Sequence, residues 1–159
     1  MAEKPVTDIS VTYNVALVTV DNLPVDMKLV SDIFNSIARQ NINIDMINQS
    51  APYRGSINIS FTIPSEDLVK AIGTLNAFKK NAPGLTIEVD ADNTKLSVYG
   101  EGMKNIPGVA AKLFTILAQN GIDLKLVTTS EVDISCLIYE KDIDTALTAL
   151  KKEFNIESE

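Results

Sequence analysis

The side chains of this chain that could do chemistry are few, and their types set limits at once. The sequence has no histidine and one cysteine, Cys136. General acid–base work at neutral pH draws most on imidazole, and a nucleophilic thiol wants a base beside it. Cys136 sits in Val132-Asp133-Ile134-Ser135-Cys136-Leu137-Ile138, where it reads as a small buried hydrophobe. Zinc lacks its usual ligands for the same reason, and no metal or cofactor is expected. Gly100-Glu101-Gly102 has no third glycine after it, so it reads as a turn and not as a dinucleotide fingerprint. What remains is binding chemistry. In Asn105-Ile106-Pro107-Gly108, Pro107 fixes φ and Gly108 permits a tight backbone, so a helix can start directly after them. The first amides of such a helix, at its positive dipole end, can hold an anion. The same two residues also suffice simply to start a helix.

Bulk composition narrows the partners. The chain has 159 residues, 45% hydrophobic and 22% charged, with a net charge of -7. That balance suits a globular protein and argues against nucleic acid or an anionic membrane, both of which need a basic surface. Lys79-Lys80 and Lys151-Lys152 fall near predicted helix ends, where the dipole favours them. An RNA-binding sheet would need stacking aromatics, and the strand pattern 57–63 offers only Phe61. An anion-clamping hydrolase would have only Arg39 and Arg54. No disulfide can form within the chain, there is no apolar run of membrane-spanning length, and the first eight residues have no apolar signal core. The expected setting is the cytoplasm.

The elements that would position the Pro107-Gly108 loop recur. Residues 33–50 align with 113–130 at an offset of 80 without gaps. Phe34 matches Phe114, Ala38 matches Ala118, Ile42 matches Ile122 and Ser50 matches Ser130. Upstream, Asn22-Leu23-Pro24 resembles Asn105-Ile106-Pro107 at an offset of 83, so the first copy carries three extra residues between its Pro and its helix core. Two copies of this length indicate two similar small domains. In chain order the periodicities predict strands over 6–11 and 15–20, a helix over 27–40 closed by Asn41, and strands over 42–47 and 57–63. A helix capped by Ser65 follows, then a strand over 85–89. Residues 91–94 form the boundary. The second copy has a strand over 96–99 and a helix with Leu113, Phe114, Ile116, Leu117 and Ala118 on its apolar face. That helix is stopped by Asn120-Gly121. A strand over 122–127, the polar turn Thr128-Thr129-Ser130-Glu131, a strand over 132–136 and a helix over 142–154 complete it. The second copy lacks a closing strand, which 6–11 can supply.

Three segments carry a family resemblance: Asn43-Ile44-Asp45-Met46-Ile47-Asn48-Gln49, residues 102–112 from Gly102 to Lys112, and Thr129-Ser130-Glu131-Val132-Asp133-Ile134-Ser135. With the doubled β-α-β-β-α-β pattern they resemble a pair of ACT domains and, more narrowly, the regulatory region of aspartate kinase. The resemblance covers about Val6 to Phe154. It implies an α+β fold of two ferredoxin-like βαββαβ modules, antiparallel sheets with helices on one face, the first module inserted after the N-terminal strand of the second. The expected bounds are 14–91 for the first module and 6–12 plus 94–156 for the second. The family's ACT pairs bind lysine, threonine or both and inhibit the kinase that phosphorylates aspartate. This sequence has no Lys-Phe-Gly-Gly motif and no room for a nucleotide fold. It is therefore expected to be a non-catalytic regulatory part, made separately or excised, that partners an aspartate kinase catalytic chain. The alternative is an ACT pair sensing amino acids for a different partner protein. Exposed sheet edges and two small cores favour association, so a homodimer is expected.

The resemblance also implies site residues. In the second module they are Asn105, Pro107, Gly108, Val109, Ala110, Ile122, Asp123, Leu124, Ser130 and Glu131. In the first they are Asp21, Asn22, Pro24, Asn43, Ile44, Asp45 and Gln49. Their types suit a zwitterion. Loop amides at a helix start meet its carboxylate; carboxylates and amides such as Asp45, Gln49 or Asp123 meet its ammonium. Asp45 and Asp123 also fit solvated strand-edge acids, and Thr129, Ser130 and Glu131 fit turn and capping residues. The first loop departs from the family. Its usual Asp-Lys-Pro-Gly is Asp21-Asn22-Leu23-Pro24-Val25 here, without the glycine.

Overall fold

The computed structural model describes residues 4–157. It has two compact units: Asn14–Asp92 is the first, and the chain up to Tyr13 with the chain from Asn93 onward is the second. Two long strands belong to both, β1 (Asp8–Pro24) and β4 (Thr86–Tyr99). The expected strands 6–11 and 15–20 are thus one element, as are 85–89 and 96–99. The breaks in the apolar pattern at Asn14 and Asp92 mark left-handed residues, φ 56° and 63°. Asn and Asp tolerate that conformation, so the chain passes from unit to unit without ending either strand.

The first unit adds α1 (Met27–Arg39), β2 (Ile47–Gln49), β3 (Ser56–Pro64) and α2 (Leu68–Asn76). The second adds α3 (Val109–Gln119), β5 (Leu126–Thr129), β6 (Asp133–Tyr139) and α4 (Ile143–Glu153). Strand order is β2-β3-β1-β4 in the first unit and β5-β6-β4-β1 in the second. Traced from its own first strand, each unit follows the same ferredoxin-like path, and β1 closes the second sheet. Each has its own core. Ile57, Ile59, Phe61 and Ile63 alternate along β3 onto Ile33, Ile37, Ala71 and Leu75. Leu96 and Val98 of β4 meet Leu113, Ile116, Ala146 and Leu150. None of the helices among the described residues is long and apolar enough to cross a membrane.

Several local expectations are corrected. The strand over 42–47 moves to β2, Ile47–Gln49; just before it the Met46 amide donates to the buried Thr62 hydroxyl at 2.9 Å in place of a backbone carbonyl. The strand over 122–127 moves to Leu126–Thr129, so Thr128 and Thr129 are strand residues and not turn residues. Ser65 does not cap: its hydroxyl is buried without a partner, and α2 enters through a 3-10 turn, Ser65–Asp67. On α3 the core side is Val109, Leu113, Ile116 and Leu117, while Phe114 is 42% exposed and Ala118 is exposed. The helix stops agree in both copies. Asn41 and Gly121, equivalent in the repeat, take φ 60° and 66°. In the second copy Gly121 donates to Ala118 O and Ile122 to Leu117 O, the paired bonds of a glycine C-cap.

The helix starts differ. Asp26 is the N-cap of α1, and its carboxylate accepts from the Lys28 amide at 3.0 Å. Asp26→Ala is expected to lower the first unit's stability by about 1 kcal/mol, measured by urea denaturation.

Candidate functional site

The second copy's loop is held at both ends before its helix begins. The Gly100 amide donates to Val132 O at 2.9 Å, tying the end of β4 to the turn before β6. A 3-10 turn, Glu101–Lys104, follows, and the Asn105 and Ile106 amides both donate back to Gly102 O. Gly108 then enters α3 with φ 87°, a left-handed N-cap with no side chain to cap the helix. Its carbonyl accepts the first helical bond, from Lys112 N. The amides of the first turn have no intrahelical acceptor, and no side chain supplies one here.

These amides adjoin a cleft of about 360 Å³. One wall is Met103, Lys104, Ile106, Pro107, Gly108, Val109 and Ala110; the other is Thr129, Ser130, Glu131 and Ile134. Ser130 is held by its backbone, its amide donating to Asp133 O at 2.8 Å, and its hydroxyl accepts from Val132 N at 3.2 Å. Glu131 is exposed. Lys104 pairs with Glu101 at 3.2 Å, and Glu101 also accepts from the Tyr99 hydroxyl at 2.6 Å. The cleft therefore offers an anion helix amides and an ammonium, and offers a cation the Glu131 carboxylate and the Ser130 oxygen.

Of the residues expected from the sequence, the structure gathers Pro107, Gly108, Val109, Ala110, Ser130 and Glu131 into this cleft. Asn105, Ile122, Asp123 and Leu124 lie outside its lining. Ile122 is buried in the core and Asp123 is exposed. Met103, Lys104, Ile106, Thr129 and Ile134 were not anticipated, although Ile106 and Thr129 flank motif residues.

In the first copy the corresponding residues bond to one another and to the loop beside them. β1 bulges ahead of Pro24: pairing with β3 slips between Val20 and Leu23. Asn22, φ 58°, turns its side-chain amide onto Gly84 O at 2.8 Å, and its backbone amide donates to Asp21 and Asn58. Asp21 and Asn22 thus satisfy each other and the loop beside them. Pro24 ends β1 and does not start a helix, so its likeness to Pro107 is not structural. Asn43, Asp45 and Gln49 are exposed and Ile44 packs against the core.

Protonation chemistry points away from catalysis. The hydrogen bond to Glu101 raises the Tyr99 pKa, and the same bond, helped by Lys104, lowers that of Glu101. Burial pushes the Cys136 thiol up to about 12. Native protein at pH 8 is therefore expected to leave Cys136 unmodified by a thiol-specific reagent and to give one thiol per chain on unfolding. Because the folded pKa is the higher one, stability is full below the ordinary thiol value, 9.0, and falls as pH rises toward 12.

Two βαββαβ units of one strand order, threaded together through shared strands, define the tandem ferredoxin-like class. Within it the chain belongs to the ACT domain family, whose profile matches residues 27–77 and 96–154. An aspartokinase of Bacillus sp. (strain MGA3) is 40% identical over 139 residues, covering 87% of this chain and 34% of that protein. The crystal structure of the alpha and beta subunits of an aspartokinase superposes with a TM-score of 0.86 at 34% identity, covering 95% of this chain and 99% of that one. The ligand-free regulatory subunit of aspartate kinase from Thermus thermophilus gives 0.84 at 27% identity, over 94% and 98%. The chain spans about a third of the length of the curated relatives it matches. These 159 residues correspond to the regulatory ACT region of aspartokinases and contain no kinase domain.

Proposed function

We propose that the second unit binds a free amino acid, lysine or threonine, in the cleft between the α3 entry and the Thr129–Glu131 segment, and that binding inhibits a partnered aspartate kinase in the cytoplasm. The observation that carries this reading is the uncapped α3 N-terminus facing a cleft with acceptors across from it. A ligand carboxylate takes the free first-turn amides, where the helix dipole favours it. Its ammonium takes Glu131 and the Ser130 oxygen. The effect on the kinase is a coupling free energy, typically about 1–3 kcal/mol. The edge strands β2 and β5 favour pairing with a second copy, so a homodimer is the proposed assembly. Sedimentation showing a monomer at tens of micromolar, with and without effector, would count against it.

The test is calorimetric titration with lysine and threonine. Ser130→Tyr fills the cleft and keeps the Ser130 amide bond to Asp133 O, giving up the bond from the Val132 amide to the hydroxyl. At Gly108 an added Cβ meets no atom within 4 Å, but Gly108→Val puts a β-branched residue at φ 87°, which displaces the loop amides. Each variant is expected to weaken binding by about a hundredfold, worth about 2.7 kcal/mol. No heat with any amino acid at millimolar concentration, or wild-type affinity in both variants, would refute the assignment.

A further inference from the structure

The two copies treat the same backbone position in opposite ways. By the repeat register, Met27-Lys28 stand where Pro107-Gly108 stand. In the second copy those two residues are loop, and α3 begins at Val109. In the first they are already helix, because α1 begins at Met27. The extra helical residues occupy the place of the second copy's loop. The freed Lys28 amide is filled by the Asp26 carboxylate at 3.0 Å. Upstream of the helix, Asn22 pins the bulge of β1 to Gly84 O. A carboxylate arriving from solution would thus find the first-turn amide engaged and a negative charge beside it.

Resting on the receptor role proposed for the second copy, we infer that Asp26 supplies from within the chain the carboxylate that the second copy takes from its ligand. The first copy is closed to amino-acid effectors, and each chain holds one effector site. The asymmetry is a regulatory property: saturation follows one binding constant per chain, with no second occupancy to sum or to require.

Backbone amide resonances of the isotope-labelled chain, followed during additions of L-lysine and then L-threonine, test this. In the wild type, Val109 and Ala110 are expected to shift and saturate at one equivalent per chain while Lys28 and Leu29 stay fixed. In Asp26→Ala, Lys28 becomes ligand-responsive and the stoichiometry rises toward two. A saturable Lys28 shift in the wild type overturns the inference. So does a folded Asp26→Ala chain whose Lys28 stays silent. If Val109 and Ala110 never move while Lys28 is silent in the wild type and responsive in Asp26→Ala, the closure of the first copy holds and the receptor reading of the second fails. Should Asp26→Ala not fold, the wild-type resonances alone decide.

Discussion

Gly100→Ala is expected to destabilise the second unit by about 3 kcal/mol, at the upper end of what overpacking costs. The reason is a close approach of backbone and not a backbone angle, since φ at Gly100 is extended at -175°. A Cβ there would lie 1.9 Å from Pro5 O and 2.9 Å from Val6 Cα. Neither is the free end of a side chain, so the chain itself must move. Val6 is fully buried in the second core, and the next residue, Thr7, donates its amide to Tyr99 O at 2.8 Å. Moving Pro5 and Val6 therefore costs core contact and a strand bond together. The Gly100 amide also joins the two walls of the cleft through Val132 O, so the variant is expected to weaken amino-acid binding as well. Gly73→Ala is the internal control. Gly73 lies inside α2 with nothing within 4 Å of an added Cβ, and the change should stabilise by about 0.5–1 kcal/mol. Urea denaturation of both variants reads the opposite signs. A loss below about 0.5 kcal/mol for Gly100→Ala would mean that the segment at Pro5 does not seat against β4.

Gly100 is also where reading the sequence runs short. A glycine beside Glu101 and Gly102 carries a turn signal, and nothing local says that residues 5–7 return to it from 95 positions away. The fold itself was legible, because alternation along 57–63 and the 80-residue repeat are local patterns with one physical reading each. The strands expected separately over 6–11 and 15–20, and over 85–89 and 96–99, run together for the converse reason. A polar residue in an apolar run signals a turn by frequency, yet a single left-handed Asn or Asp leaves the pairing on either side intact. The cleft was half legible. Pro107 and Gly108 announce a helix entry, and Ser130 and Glu131 follow in the motif, but Lys104 and Met103 join only because the Glu101–Lys104 segment coils into a 3-10 turn. In the first copy the proline misled. Pro24 resembled the second loop in sequence, while Asp26, an acid directly before the helical period and hence a capping signal, decided the local structure.

Phe61 in the first copy and Phe114 in the second make the largest quantitative contrast between the copies. Phe61→Ala should cost the first unit about 3–5 kcal/mol, whereas Phe114→Ala should stay within about 0.5 kcal/mol. Phe61 is fully buried at the centre of the first core and meets the Phe34 ring edge-on, centroids 5.5 Å apart at 62°. Such a pair adds roughly 0.5–1.5 kcal/mol beyond area burial. The strand registers explain why the second copy lacks it. Phe61 pairs with Ile47 across β2 and β3, and Cys136 pairs with Val127 across β5 and β6. Ile47 and Val127 are equivalent in the repeat, so Cys136 stands where Phe61 stands. A thiol cannot reach the helix ring that a benzyl group reaches, and Phe114 is left 42% exposed. The identical phenylalanines thus do different work because their partners differ. Hydrogen exchange should show the loss of Phe61 as faster exchange of α1, α2 and β3 amides. Equal losses for Phe61→Ala and Phe114→Ala would mean that Phe114 is covered in solution by a surface that the isolated chain does not supply.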